Sequence, residues 1–102
     1  ELCKGFDNSA AIGTFVPLEQ VGGNVQNLDF RLTIDDKEVQ RGHTADMLFR
    51  VDDIIAYVSR FMTLKIGDLL FTGTPAGVAP VSIGQHLQGY LGEGKVLDFN
   101  IR

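Results

Sequence analysis

Residues 28–44, "LDFRLTIDDKEVQRGHT", decide how the chain is read. Leu28, Phe30, Leu32 and Ile34 alternate with Asp29, Arg31 and Thr33. A period of two puts the apolar set on one side and the polar set on the other, which is the pattern of a half-buried strand. The polar "DDK" (35–37) then reads as a turn and "EVQRGHT" (38–44) as the returning strand, so the stretch predicts a β-hairpin. The turn contains no glycine, which leaves its type open.

Working outward, "VDDIIAYVSRFMTL" (51–64) changes period. Ile54, Ile55, Val58, Phe61 and Met62 fall at i, i+1, i+4, i+7 and i+8, one apolar stripe of a helix that is expected to pack on a core. Asp52 is the expected N-cap, with Asp53 in the first turn at the positive end of the helix dipole. Lys65 lies near the expected C-terminal end and Gly67 stops the helix. "DLLFTG" (68–73) reads as a short apolar strand. "GQHLQGYL" (84–91), "GEG" (92–94) and "KVLDFNI" (95–101) read as a second hairpin. The sum is an α+β, mostly β unit of five or six strands with one main helix over about 52–64.

A chain of 102 residues bounds the organisation at one domain. Its net charge of −4 and scattered basic residues argue against nucleic acid as a partner, since phosphate binding needs clustered Lys and Arg. No stretch approaches the ~18 apolar residues of a membrane helix, and no basic-then-apolar signal opens the chain, so no membrane partner is expected. Cys3 is the single cysteine; it excludes an internal disulfide and fits a reducing, cytoplasmic setting. The opening "ELCKGFDNSAAIG" begins amid structured-looking sequence with no polar lead-in, and is read as the start of the C-terminal part of a longer polypeptide.

Few residues carry chemistry. "TGTP" (72–75) places Thr72, Gly73 and Thr74 at the end of the predicted strand. Threonine hydroxyls donate and accept hydrogen bonds, glycine admits close backbone approach, and Pro75 biases Thr74 toward extended backbone. Two readings stand: a plain turn, or a polar cradle for a carboxylate or enolate oxygen. Lys4, in "CKGFDNS" (3–9), either supplies a cation to an anionic substrate or runs along the surface with its charge in water. Asp7 and Asn8 fit turn formation equally well. His43, with Thr44 and Asp46 nearby, reads as a solvated histidine rather than half of an acid–base pair. His86 and Cys3 are assigned no catalytic part. The carboxylate pairs Asp35–Asp36 and Asp52–Asp53 are adjacent rather than alternating, so no complete metal site is expected.

Taken together, "KGFDNSAAIGTFVP" and "GHTADMLFRVDDIIAYVSRFMTLKIGDLLFTGTPAGVAPV" resemble the C-terminal half of the fumarylacetoacetate hydrolase family. A K-x-F-D segment, a T-x-x-M-(I/L)-F segment, an apolar helix ending F-M-T-L-x-x-G-D, and T-G-T-P occur in the family's order. "TGTPAGVAPV" is most similar to the small acylpyruvate hydrolases, a branch that also holds homoprotocatechuate-pathway isomerases and oxaloacetate decarboxylases. The resemblance implies the C-terminal part of a mixed β-sandwich roll, with residues 1–102 as the C-terminal portion of one catalytic domain. It implies that Lys4 lies beside metal and substrate, and that Thr74 contacts the substrate's carboxylate end. Gly73 and Thr72 share that cradle, and Asn8 lies near a second cation. It further implies Mg²⁺ or Mn²⁺ held by an E-x-E pair and a later Asp, and a His–Glu acid–base unit, all upstream of Glu1. The implied partners are a small oxo acid, the N-terminal half of the same polypeptide and a second copy in a homodimer. The leading activity is cleavage of a C–C bond in a 2,4-diketo acid of acylpyruvate or fumarylpyruvate type. Oxaloacetate-type decarboxylation or 2-hydroxyhepta-2,4-diene-1,7-dioate-type isomerisation is the alternative on the same scaffold. A non-catalytic dimerisation or scaffold fragment is the reading from another class, and these residues alone are expected to be inactive.

Overall fold

The computed structural model describes residues 10–102; Cys3, Lys4, Asp7 and Asn8 lie outside the described residues. The chain is mostly β with one main helix. Strand β1 (Asp29–Ile34) and strand β2 (Lys37–His43) form the first hairpin, helix α1 (Val51–Ser59) follows, and β3 (His86–Leu91) with β4 (Gly94–Asn100) forms the second hairpin. The four strands make one antiparallel sheet in the order β2-β1-β3-β4.

The first hairpin closes through Asp35 and Asp36, both at positive φ (50° and 68°). This is the mirror-image turn whose twist matches the strands, and Asp tolerates its left-handed backbone without glycine. Asp35 also ties the hairpin tip to β3: its N–H donates to the His86 carbonyl (2.8 Å) and its Oδ1 accepts from the His86 N–H (2.9 Å).

Residues directly opposite in an antiparallel pair project to the same face. The register therefore gathers Phe30, Leu32 and Ile34 with Leu87, Gly89 and Leu91 on one face, while Arg31 lies over the Tyr90 ring (3.7 Å to the centroid) on the other. Both edge strands carry an irregularity at a valine. In β2 the register passes from Leu32↔Gln40 to Thr33↔Glu38, leaving Val39 unpaired. In β4 it passes from Gly89↔Leu97 to Tyr90↔Lys95, leaving Val96 unpaired. Each valine carbonyl receives an incoming segment. The Val96 carbonyl accepts the Thr14 N–H at 2.7 Å, and the Val39 carbonyl faces Gly77.

Several expectations need correction. The helix ends at Ser59 rather than near residue 64. The Arg60 and Phe61 N–H groups donate three residues back, to the Tyr57 and Val58 carbonyls, which tightens and closes the last turn. Lys65 and Gly67 belong instead to a separate turn, in which the Lys65 N–H donates to Asp68 Oδ2 (2.8 Å) and Gly67 has φ 95°. The N-cap is Arg50, not Asp52, and the Val51 N–H is satisfied from a distance by the Gln26 side-chain oxygen. Residues 68–73 form no strand: Leu69, Leu70 and Phe71 have no ladder partner among the described residues. The described strands number four, not five or six.

The helical stripe is also not core within this chain. Ile54 and Val58 are half-buried, but Phe61 and Met62 are 68% and 63% exposed. The molecule exposes 8306 Å², against roughly 5,700 Å² for a closed monomer of this mass. Among the described residues, one sheet and one helix leave apolar faces without a covering layer.

Candidate functional site

The loop that carries "TGTP" meets the sheet at the β2 edge. Leu69, Leu70 and Phe71 line a cavity of about 290 Å³ together with Ile12, Val96 and Leu97, on the β4 side of the sheet. A few residues later the chain has reached β2. There Gln40 Nε2 donates to Thr74 Oγ1 at 2.9 Å and reaches the Pro75 and Ala76 carbonyl oxygens at 3.2 and 3.4 Å. Residues 69–77 therefore cross from one edge of the sheet to the other, carrying Thr72, Gly73 and Thr74 with them. Gly73 has φ 93° and Gly77 φ 103°, both in the region that favours glycine. A Cβ at Gly77 would fall 2.5 Å from the Val39 carbonyl oxygen, so only glycine brings the loop this close to β2.

Thr72, Gly73 and Thr74 are exposed. The structure thus carries three of the expected site residues on a loop that crosses the sheet, and adds Gln40. Sequence reasoning missed Gln40. Counted from the two-residue turn without interruption, it would pair with Arg31 on the polar face. The irregularity at Val39 shifts it by one, opposite Leu32 and onto the apolar face.

His43 takes a structural part. Its Nδ1 accepts the Ala45 N–H (3.0 Å), which makes Nε2 the protonated nitrogen that faces Asn27 Oδ1 (3.2 Å). It caps the short helix Thr44–Asp46. Thr44 and Gln26 brace the same corner: Thr44 Oγ1 accepts the Leu28 N–H (2.9 Å) and Gln26 Nε2 donates to the Thr44 carbonyl (2.7 Å).

The ionic groups stand apart from the loop. On β3 and β4, Asp98 accepts from Lys95 Nζ (2.8 Å) and pairs with His86 Nε2. The Lys95 hydrogen bond first, and the His86 bond second, lower the Asp98 carboxyl to about 2. On β2, Arg41 donates to Glu38 Oε1 (2.6 Å), which lowers the carboxyl and raises the guanidinium. Among the described residues no three His, Cys, Asp or Glu side chains gather as a ligand set. Asp35, Glu38 and Asp98 are each engaged with N–H donors, so these carboxylates do not form a divalent-cation site with one another.

Comparison with known proteins agrees on one lineage. The family described as "Fumarylacetoacetate (FAA) hydrolase C-terminal" matches residues 1–102. The oxaloacetate tautomerase YcgM of Escherichia coli K12 is 42% identical over 87 residues, covering 85% of this chain and 40% of the relative. A mitochondrial oxaloacetate decarboxylase of Dictyostelium discoideum is 37% identical over 99 residues, covering 96% and 45%. Among solved structures, a fumarylacetoacetate hydrolase family protein from Yersinia pestis CO92 superposes with TM-score 0.87 at 39% identity, covering 95% of this chain and 45% of that one. Maleylpyruvate hydrolase from Sphingobium sp. SYK-6, solved with manganese(II) and pyruvate, gives TM-score 0.74 at 30% identity, covering 80% and 31%. The chain spans less than half the length of these relatives. Among the described residues no helix is long and apolar enough to cross a membrane.

Proposed function

The chain belongs to the fumarylacetoacetate hydrolase family, and from that membership we propose that it is the C-terminal portion of an enzyme acting on oxaloacetate or a closely related small oxo acid through an enolate. The observation that carries this reading is the 42% identity to an oxaloacetate tautomerase over 87 residues. It moves the decarboxylase and isomerase alternative ahead of C–C hydrolysis.

In keto–enol exchange a proton leaves C3 of the oxo acid and the electron pair spreads to the 2-oxo oxygen. Protonation of that oxygen gives the enol, and the reverse order regenerates the ketone. In decarboxylation the bond between C3 and the adjacent carboxyl carbon breaks, CO₂ departs, and the same kind of enolate is protonated at C3. Both routes need the substrate carboxylate held in register and negative charge stabilised on one oxygen. In this reading Thr74 donates its hydroxyl to the carboxylate, Thr72 adds a second hydroxyl, and Gly73 lets the backbone come close. Lys4 would supply a cation to the enolate, as the family resemblance implies. The base that moves the C3 proton, and the ligands for Mg²⁺ or Mn²⁺, belong to the remainder of the polypeptide. Asn8 stands as a contact to a second cation. A homodimer in a reducing cytoplasm completes the reading. Support for a covering partner is the exposure of Phe61, Met62, Ile66 and Phe71.

A second reading keeps the hydrolase. Its support is the maleylpyruvate hydrolase neighbour at 30% identity, and there water would cleave an acylpyruvate to release the pyruvate enolate. One assay separates the two. The intact protein with Mg²⁺ or Mn²⁺ is offered oxaloacetate, followed by loss of enol absorbance and by CO₂ release, and separately maleylpyruvate and fumarylpyruvate, followed by pyruvate formation. Faster turnover of oxaloacetate supports the first reading; turnover of the acylpyruvates alone replaces it with the second.

A further inference from the structure

We propose that Gln40 is a positioning residue that sets the direction of the Thr74 hydroxyl, turning it into a hydrogen-bond donor for an anionic substrate oxygen. The inference deepens the function proposed above and rests on it.

The Gln40 amide turns a defined end toward the loop. The Pro75 and Ala76 carbonyl oxygens lie 3.2 and 3.4 Å from the amide nitrogen. Carbonyl oxygens only accept, so the amide must turn its NH₂ toward them. The same NH₂ then faces Thr74 Oγ1 at 2.9 Å, the shortest of the three contacts. Thr74 must therefore accept from Gln40, and its own proton cannot point back along that line. Among the described residues no protein oxygen takes that proton. The exposed hydroxyl thus offers its hydrogen outward, polarised by the amide behind it.

The backbone of β2 is arranged to deliver this contact. The skipped residue Val39 moves Gln40 from the Arg31 side of the hairpin to the Leu32 side, the re-aiming that a bulge performs. The carbonyl of Val39 is also the atom that Gly77 approaches. One irregularity therefore both seats the loop and aims the amide. An amide N–H on the face that carries Phe30, Leu32 and Ile34 is costly unless its hydrogen bonds are met, and here the Gln40 NH₂ is met by the loop that carries Thr74.

The test is a double-mutant cycle in the intact protein with divalent metal, reading kcat/KM for oxaloacetate. Gln40→Met keeps length and removes the donor; Thr74→Val keeps shape and removes the hydroxyl. Gln40→Met is expected to cost about tenfold with Thr74 present and under about twofold in the Thr74→Val background, because its effect passes through the hydroxyl. Should Gln40→Met fold poorly by urea titration, Gln40→Glu serves instead. Its carboxylate accepts the Thr74 proton and reverses the bond, so a larger loss is expected at neutral pH. Activity relative to wild type then recovers as the pH falls and the protonated acid can donate again. Equal losses with and without the Thr74 hydroxyl, or no pH recovery in Gln40→Glu, overturn the role of Gln40 and leave the enzyme assignment intact. A wild type inactive on oxaloacetate, or a Thr74→Val variant as active as wild type, overturns the functional reading and the inference together.

Discussion

Replacing Gly77 with alanine tests whether residues 69–77 are seated on β2. Two glycines in this loop share the same backbone handicap but differ in surroundings. Gly73 (φ 93°) has nothing within 4 Å of a built Cβ, whereas Gly77 (φ 103°) would place one 2.5 Å from the Val39 carbonyl oxygen. Positive φ alone costs an alanine about 1–2 kcal/mol, and Gly73→Ala carries only that. At Gly77 the added carbon must retreat by several tenths of an ångström or more to reach ordinary contact distance. Gln40's contacts to the Pro75 and Ala76 carbonyls, already 3.2 and 3.4 Å, do not survive such a shift. Each of the two lost hydrogen bonds adds about 0.5–1.5 kcal/mol, which brings Gly77→Ala to about 2–5 kcal/mol. With a urea slope of roughly 2 kcal/mol/M, the two variants of the intact protein should differ in midpoint by about 0.5–1.5 M. Indistinguishable midpoints refute the seating of the loop and the reasoning built on it.

Three further outcomes are expected. Gln26→Leu removes the acceptor of the Val51 N–H and the donor to the Thr44 carbonyl, and should lower stability by about 1–3 kcal/mol in urea titration; Asp52→Asn should cost under about 1 kcal/mol, since Asp52 acts only through the helix dipole. Asp98 should titrate near 2 by carboxyl-carbon NMR, and Lys95→Met should raise that midpoint more than His86→Leu does. Because the folded carboxyl is depressed, its contribution to stability is present above the ordinary aspartate range near 3.9 and fades as the pH falls toward 2.

Much of the fold was legible because it rests on period. The alternation over 28–34 and the paired apolar runs over 84–101 specify hairpins whatever lies around them. The turn type was hidden because Asp35 and Asp36, rather than glycine, adopt the positive φ. The helix was legible in kind but not in length: nothing in "SRFMTL" marks the tightening at Arg60. Residues 68–73 show the limit of composition, since an apolar run becomes a strand only when a neighbour supplies a ladder. For the site, "TGTP" was visible as a backbone-restricted loop, and the family resemblance gave it a chemical reading. Gln40 was not visible, because a single skipped residue at Val39 decides which face it occupies. Lys4 and Asn8 are sequence expectations, carried by the resemblance.

The central claim is that Thr74 faces substrate. Its most direct test is kcat/KM for oxaloacetate in the intact wild-type protein, Thr74→Ser and Thr74→Val, with urea midpoints confirming that all three fold. The account predicts that serine, which keeps the hydroxyl, stays within about threefold of wild type, while valine, which keeps the shape, loses about tenfold or more. Equal activity in wild type and Thr74→Val, or equal losses in the serine and valine variants, would contradict it.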